Sequence, residues 1–545
     1  MRLNQEISAR LACGTAAALA LCLFASGRQV FAFEQQQPPP VATPVAQPPA
    51  PAAPSGPEIQ LTADDAVRMA LENNLGIQSE RLSPQVQAHG VARAEGAYAP
   101  AVFSNFSRSA NTSPPSDFLS AGVATTTSGN LRSDGGVQQQ LRWGGGSYSL
   151  GMSGGRSTSD APRVVFSPQL SSSVNATFTQ PLLRNFKIDG FRQALLQSRN
   201  QLEIADIQLA ARVTQTSRNV RTAYYDLVGA LGAVDVARQS LDLSRQSLQQ
   251  NERRVEVGAM AQIDILEAQA EVAQREEAVI IAEANVRAAE DNLRTLMMNP
   301  SQPDFWTVRL VPTDRPNVAP QAVDVDAAIA NALKNRTDLA QTRKQLESAD
   351  INIKFAENQR LPGLNLEARY GASGIGGTQQ RWGGGFDQDD PPVLISSTQR
   401  SFSEVLRDVF GNDFRTWSVA LNFSYPIGTS SADAALAQSR VQRQQDTLGL
   451  REQEMAVAVQ VREAGRQVNT TQQRVEATRK AREVAERRLE AEDKRVTVGL
   501  STTFQLFQAQ RDLDTAKQRE LQSLIDYNRA LVNFEAVQQA PLAGR

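Results

Sequence analysis

Apolar positions recur along this chain with two periods. Trp417, Val419, Leu421, Phe423 and Tyr425 alternate with Thr416, Ser418, Ala420, Asn422 and Ser424, the period of two expected of a strand with one apolar and one polar face. Leu364, Leu366, Ala368 and Tyr370 alternate in the same way with Asn365, Glu367 and Arg369, and Val174, Ala176 and Phe178 with Asn175, Thr177 and Thr179. Residues 101–108 alternate less cleanly. Elsewhere the period is seven. Ile265, Val272, Val279, Val286 and Leu293 run beside Ala261, Ala268, Ala282, Ala289 and Leu296, broken only by Arg275. Leu506, Leu513, Tyr527 and Phe534 run with Ala509, Ala516, Ala530 and Val537, interrupted by Glu520 and Ser523. Large or branched residues opposite alanine at this spacing specify close coiled-coil packing.

These patterns occur twice, in the same order. Residues 61–73 pair with 323–335, sharing Asp64/Asp326, Ala70/Ala332, Leu71/Leu333 and Asn73/Asn335. Ala94-Glu95 and Pro100 pair with Ala356-Glu357 and Pro362, and Phe178 to Pro181 with Phe423 to Pro426. Arg254-Val255 and Val257-Gly258 pair with Arg495-Val496 and Val498-Gly499, each followed by Leu266 or Phe507 and then Ala-Gln. Each half reads as helix, strand, long loop, strand, very long helix, Val-Gly turn, helix. At 1.5 Å per residue the long helices, 191–256 and 431–497, span roughly 100 Å each. The shorter ones, 62–97, 260–297, 325–360 and 500–538, span roughly 54–59 Å, so each pair stacked end to end matches one long helix.

One segment of the first half has no counterpart in the second. Val137–Trp143 and Ser147–Ser153, joined by Gly144-Gly145-Gly146, form a hairpin assigned to an extracellular extension, with entry into a barrel as the alternative. The glycine-rich loop 371–414 ends in Phe402, Val405, Leu406, Val409 and Phe410, the spacing of a short amphipathic helix. Gly371, Gly374, Gly376 and Gly377 superficially suggest a nucleotide loop, but without a strand–helix context they read as a flexible surface loop.

The N-terminus adds an address. Arg2 and Arg10 precede the apolar run Leu11–Ala25, and Val30-Phe31-Ala32 resembles a cleavage site, so residues 1–32 are expected to be an export signal. Cys13 and Cys22, the only cysteines, fall inside it, which leaves no disulfide in the mature chain. Residues 33–58 form a Pro/Ala/Gln tether, followed by repeats at 59–300 and 323–540, a connector at 301–322 and a tail at 541–545. No later stretch is apolar for the length of a membrane helix.

With 21% charged residues but a net charge of only −2, the chain lacks the basic excess of a nucleic-acid binder. The single histidine, His89, reads as a helix-surface residue, and no catalytic residue, metal site or cofactor is expected. The alternating strands fit a soluble half-buried sheet as well as a membrane barrel when taken singly. Export, duplication and aromatic strand ends together favour the membrane. Two strand pairs cannot close a barrel, and open edges in lipid leave backbone groups unsatisfied, so the chain must oligomerise. A dimer would give eight strands around a filled interior and a trimer twelve around a lumen, and a conduit requires the trimer.

The duplicated Val-Gly turns, Gln180-Pro181-Leu182-Leu183, Tyr425-Pro426-Ile427-Gly428 and the joins at Pro100 and Pro362 resemble the TolC-like outer membrane efflux protein family over residues 60–540. The resemblance implies an all-α fold with membrane β: a trimeric twelve-stranded outer-membrane β-barrel continuous with a twelve-helix periplasmic coiled-coil barrel, two structural repeats per chain. It implies outer-membrane lipid around the barrel and a long periplasmic extension. It implies, too, the exit duct of a tripartite efflux or type I secretion system. Its partners would be a periplasmic adaptor and an inner-membrane transporter of RND, ABC or MFS type. By that resemblance, Val257, Gly258 and Ala259, with Val498, Gly499, Leu500, Ser501 and Thr502, are the adaptor-docking tips. Asp264 and Glu267 lie one helical turn apart at the periplasmic gate, where their counterparts are Gln505 and Gln508. The competing function is an exported coiled-coil scaffold without a pore.

Overall fold

A computed structural model describes residues 57–539, apart from 115–123, 162–163, 259–260, 317–318, 320, 385–392 and 429. The expected signal segment, most of the tether, Ala259 and the tail lie outside the described residues. The first half runs β1 (Glu58–Leu61), α1 (Ala63–Asn73), α2 (Leu75–Gly96), β2 (Ala101–Ser113), β3 (Thr126–Gln140), β4 (Ser147–Ser159), β5 (Phe166–Pro181), α3 (Gly190–Glu256) and α4 (Ile263–Met297). The second runs β6 (Arg309–Pro312), α5 (Val325–Asn335), α6 (Thr337–Gln359), β7 (Gly363–Gly383), β8 (Val393–Arg400), α7 (Phe402–Gly411), β9 (Phe414–Ser424), α8 (Ser431–Thr497) and α9 (Thr503–Gln538).

The duplication is carried into the helix lengths. The long helices α3 and α8 have 67 residues each, α4 and α9 have 35 and 36, and α1 and α5 have 11 each. Within each half the long helix packs against both shorter partners, as the length matching requires. The expected helices 62–97 and 325–360 are each broken once. Asn74 and Arg336 leave helical geometry, with ψ of 119° and 130°. At the first break the Asn74 side chain accepts from the Ile77 N–H at 3.1 Å and donates to the Leu296 carbonyl at 2.9 Å. It thereby caps α2 and ties it to the end of α4, which satisfies groups a continuous helix would not need to.

The expected connector 301–322 contains structure. Within it β6 pairs in parallel with β1, Glu58 opposite Arg309 through Leu61 opposite Pro312. Around this ribbon lies the main core, where Leu61, Ala66, Ala70, Tyr224, Leu227, Leu293, Met297, Phe305 and Leu310 are buried. Tyr224 donates to the Leu61 carbonyl at 3.2 Å and accepts from the Asp314 N–H at 3.1 Å. Burial raises its phenol to about 12, so the hydroxyl serves as a neutral clasp. The repeat supplies a second: Tyr527 donates to Ala319 and accepts from Gln321. Away from this core the helices bury small residues such as Ala205, Ala237, Ser240, Ser244 and Ser247 beside single aliphatic ones such as Ile204, Val234, Leu241, Val461 and Leu513.

The remaining strands form one antiparallel sheet in the order β2-β3-β4-β5-β7-β8, with β9 also on β7. β9 pairs with the first half of β7 and β8 with its far end, so both occupy one lane and the sheet has six lanes. This corrects two expectations. The hairpin assigned to an extracellular extension is the β3–β4 pair, hydrogen-bonded to β2 on one side and β5 on the other. The count of four barrel strands per chain, hence twelve in a trimer, becomes six lanes per chain. The physical cause is register: β3 and β4 match their neighbours along 13 and 11 residue pairs. A displaced hairpin would leave those backbone groups unpaired. The expected surface loop at Gly371–Gly377 is likewise part of β7, whereas the amphipathic helix after it is present as α7.

Candidate functional site

Register assigns every sheet residue to a face. The row Val102, Val137, Leu150, Ala176, Tyr370, Trp417 crosses all six lanes as direct partners. Phe178, Ala368, Val419, Leu366 and Leu421 continue that face toward the helices. The opposite face carries Asn105, Asp134, Ser153, Ser173, Ser373 and Thr416. Its charges are matched locally: Arg132 donates to Asp134 at 2.7 Å and Arg369 to Glu367 at 2.6 Å. An exposed wall this apolar on one side and polar on the other suits lipid outside and water within.

At the far end of the helices, each hairpin turns on a glycine. Gly258 and Gly499 both have φ of +77°. The Gly258 N–H returns to the Val255 carbonyl at 2.9 Å, and the Leu500 N–H to Arg495 at 2.8 Å, closing the helix ends. A side chain at either position would meet nothing within 4 Å, so the requirement is conformational. Gly499→Ala should cost roughly 1–2 kcal/mol, the left-handed penalty of an L-residue, and Gly499→Asn less. Thermal unfolding of the two variants checks this, and equal costs would refute it. Around the turns Val257, Val498 and Leu500 are 77%, 67% and 79% exposed, and Ile263, Leu266 and Phe504 are also exposed. Ser501 bonds Glu492 and Gln505, and Thr502 caps α9.

The expected gate residues differ in their engagement. Asp264 is half-buried and Glu267 exposed, and neither has an ion pair among the described residues. Gln505 accepts from Ser501 at 2.5 Å. Gln508 donates to Asp512 at 2.8 Å and accepts from Arg511 at 3.3 Å. The two glutamines are thus occupied within their own chain, and the two acids are not.

Sequence reasoning missed the group just behind them. Arg275 of α4 bonds Glu271 at 2.6 Å and Asp514 of α9 at 2.7 Å. Arg511 bonds Glu271 at 3.0 Å, and Ser240 of α3 donates to Asp514 at 2.6 Å. Glu271 is only 5% exposed and Asp514 8%. Burial pushes the Asp514 carboxyl up, against the opposing pull of Ser240 and Arg275. This network joins the two hairpins of one chain. Its signal in the sequence was the heptad break at Arg275. His89, as expected, is exposed on α2.

An amphipathic sheet whose two edges have no partner among the described residues, set on paired helical hairpins, is the architecture of a membrane protein with a sheet wall and a long helical extension. The sequence signature described as "Outer membrane efflux protein" matches residues 147–298 and 328–537, and the chain belongs to that family. It is an outer-membrane channel protein. It is similar to outer membrane protein TolC of Escherichia coli (strain K12), 24% identical over 366 residues that cover 66% of this chain and 67% of TolC. Among solved structures, the outer-membrane channel OprN superposes with a TM-score of 0.62 at 16% identity, covering 87% of this chain and 89% of OprN. The CmeC outer membrane channel of Campylobacter jejuni gives 0.59 at 13% identity, covering 87% and 85%.

Proposed function

We propose that the protein is the exit duct of a tripartite efflux or type I secretion system, passing cargo from a periplasmic adaptor and inner-membrane transporter to the exterior. The observation that carries this reading is the six-lane sheet, apolar on one face, whose β2 and β9 edges lack partners among the described residues and which is continuous with two 67-residue helices. Open edges in lipid require closure, and three copies close eighteen lanes. With strands about 4.8 Å apart and tilted about 40°, twelve lanes make a cylinder roughly 24 Å across and eighteen roughly 36 Å. The β3–β4 hairpin thus widens the outer portal by about half. The exposed apolar tips at Val257, Val498 and Leu500 suit an adaptor that docks on them.

The free acids favour the first hairpin as gate lining. Three copies of Asp264 and Glu267 would make stacked carboxylate rings that attract cations. In planar bilayers the purified protein should conduct poorly and with cation preference, and Asp264→Ala with Glu267→Ala should reduce that preference. Unchanged selectivity would remove both from the gate. Release of the protein from membranes by high salt or carbonate would favour the scaffold instead.

A further inference from the structure

The apolar face carries charge at Arg415, which pairs with Ala372 two residues beyond Trp417, and again in one row four residues further out. Arg108, Leu131, Arg156, Leu170 and Gly376 are successive direct partners from β2 to β7, on the same face as Trp417 and Tyr370. Arg108 and Arg156 are exposed, and neither has an ion pair among the described residues, unlike Arg132 and Arg369 on the polar face. The row stands six residues further from the helices than Val102 and Leu150, roughly 20 Å along the strands. Beyond it the same face turns to Thr112, Thr127 and Thr158. An arginine facing lipid is costly at the bilayer centre and nearly free at its boundary, so Arg415 marks where the apolar belt gives way and the Arg108–Arg156 row stands beyond it, at headgroup level.

A cleft of about 260 Å³ opens at that level. Phe106, Leu131, Leu170 and Phe402 supply its apolar walls, Gly154 contributes to its lining, and Arg156 stands in it. Phe402 comes from α7, which lies across the sheet because Gly374 and Gly376 leave room for Val405. Arg108 and Arg156 are two lanes apart, about 10 Å between backbones, close enough for both guanidinium groups to engage one headgroup. Guanidinium pairs bidentately with phosphate.

We propose that this cleft binds a phosphorylated, acylated lipid of the outer leaflet, the acyl chain against Phe106, Leu131, Leu170 and Phe402 and the phosphate on Arg108 and Arg156. The inference rests on the apolar face being the lipid-facing one. The test uses the full oligomer in zwitterionic detergent, freed of bound lipid, with thermal unfolding followed on adding bisphosphorylated lipid A, dephosphorylated lipid A or inorganic phosphate. The phosphorylated lipid alone should raise the midpoint. Arg108→Gln with Arg156→Gln should weaken its binding at least tenfold, Arg156→Lys less. Phe402→Ala, which shortens one apolar wall and removes no charge, should weaken it several-fold. Arg132→Gln on the polar face should leave it unchanged. Equal response to both lipids, a full response to inorganic phosphate, or unaltered binding by both the double variant and Phe402→Ala would overturn the proposal. Bilayer conductance of the same preparations separates the two readings: a conducting oligomer with no lipid response sinks this site alone, and absence of conductance sinks the channel.

Discussion

Arg275→Ala should destabilise the hairpin ends by about 3–5 kcal/mol, the usual consequence of removing one partner from a buried ionic cluster. Arg275 is the group that joins Glu271 on α4 to Asp514 on α9. Without it Glu271 keeps Arg511, but Asp514 keeps only the Ser240 hydroxyl among the bonds described. The penalty should shrink in acid. Asp514 in the folded chain holds its proton more tightly than the ordinary aspartate value of 3.8. Its contribution to stability is therefore greatest below that value and declines as pH rises through the elevated one. Losing the arginine raises that carboxyl further and widens the window. Denaturant unfolding at pH 7 and pH 5 measures both effects, and a pH-independent penalty would show that Asp514 does not titrate as described. Because the network joins the two hairpins, the variant should also conduct more than the native channel.

Val419→Arg should impair insertion by about 2–4 kcal/mol if its level lies near the bilayer centre, while its neighbour Ser418→Arg should change stability little and ion selectivity instead. The two positions are adjacent in β9, yet Val419 pairs with Ala368 on the apolar face and Ser418 with Arg369 on the polar one. Refolding titrations into lipid vesicles, followed by conductance, distinguish them. Equal penalties would mean that the two faces do not see different solvents.

The sequence patterns anticipated the regular parts of this molecule because their periodicity was long. Sixty-seven residues of uninterrupted helix, twice, have predictable ends when a Val-Gly turn follows each. The wall strand β9 was legible from five alternating residues. The hairpin β3–β4 was found but misplaced, since Gly, Ser and Gln dominate β3 and give little alternation, and its site is fixed by backbone pairing that side chains do not report. The glycines of β7 were read as a loop for the same reason: Gly374 and Gly376 lack side chains to make room for α7, a requirement set by a segment some thirty residues later. The heptad exceptions carried more information than their neighbours. Arg275 holds the network, Ser523 meets Thr478 across 2.8 Å, and Glu520 pairs with Arg482 at 2.5 Å. The candidate docking tips and the acid pair were placed by resemblance, and the lack of an ion pair at the acids among the described residues could be seen only once their surroundings were folded.

The break in the last lane has a structural corollary. Between the pairings Ser373 with Phe414 and Gly377 with Arg400, three residues of β7 are paired with β5 but have no described strand on their other side. Arg400 reaches across to the Ile375 carbonyl at 3.0 Å, and α7 lies over the opening. In a closed ring this would put a small shuttered window next to every subunit junction, where a side chain and a helix do the sealing that neighbouring strands do along the rest of the described wall.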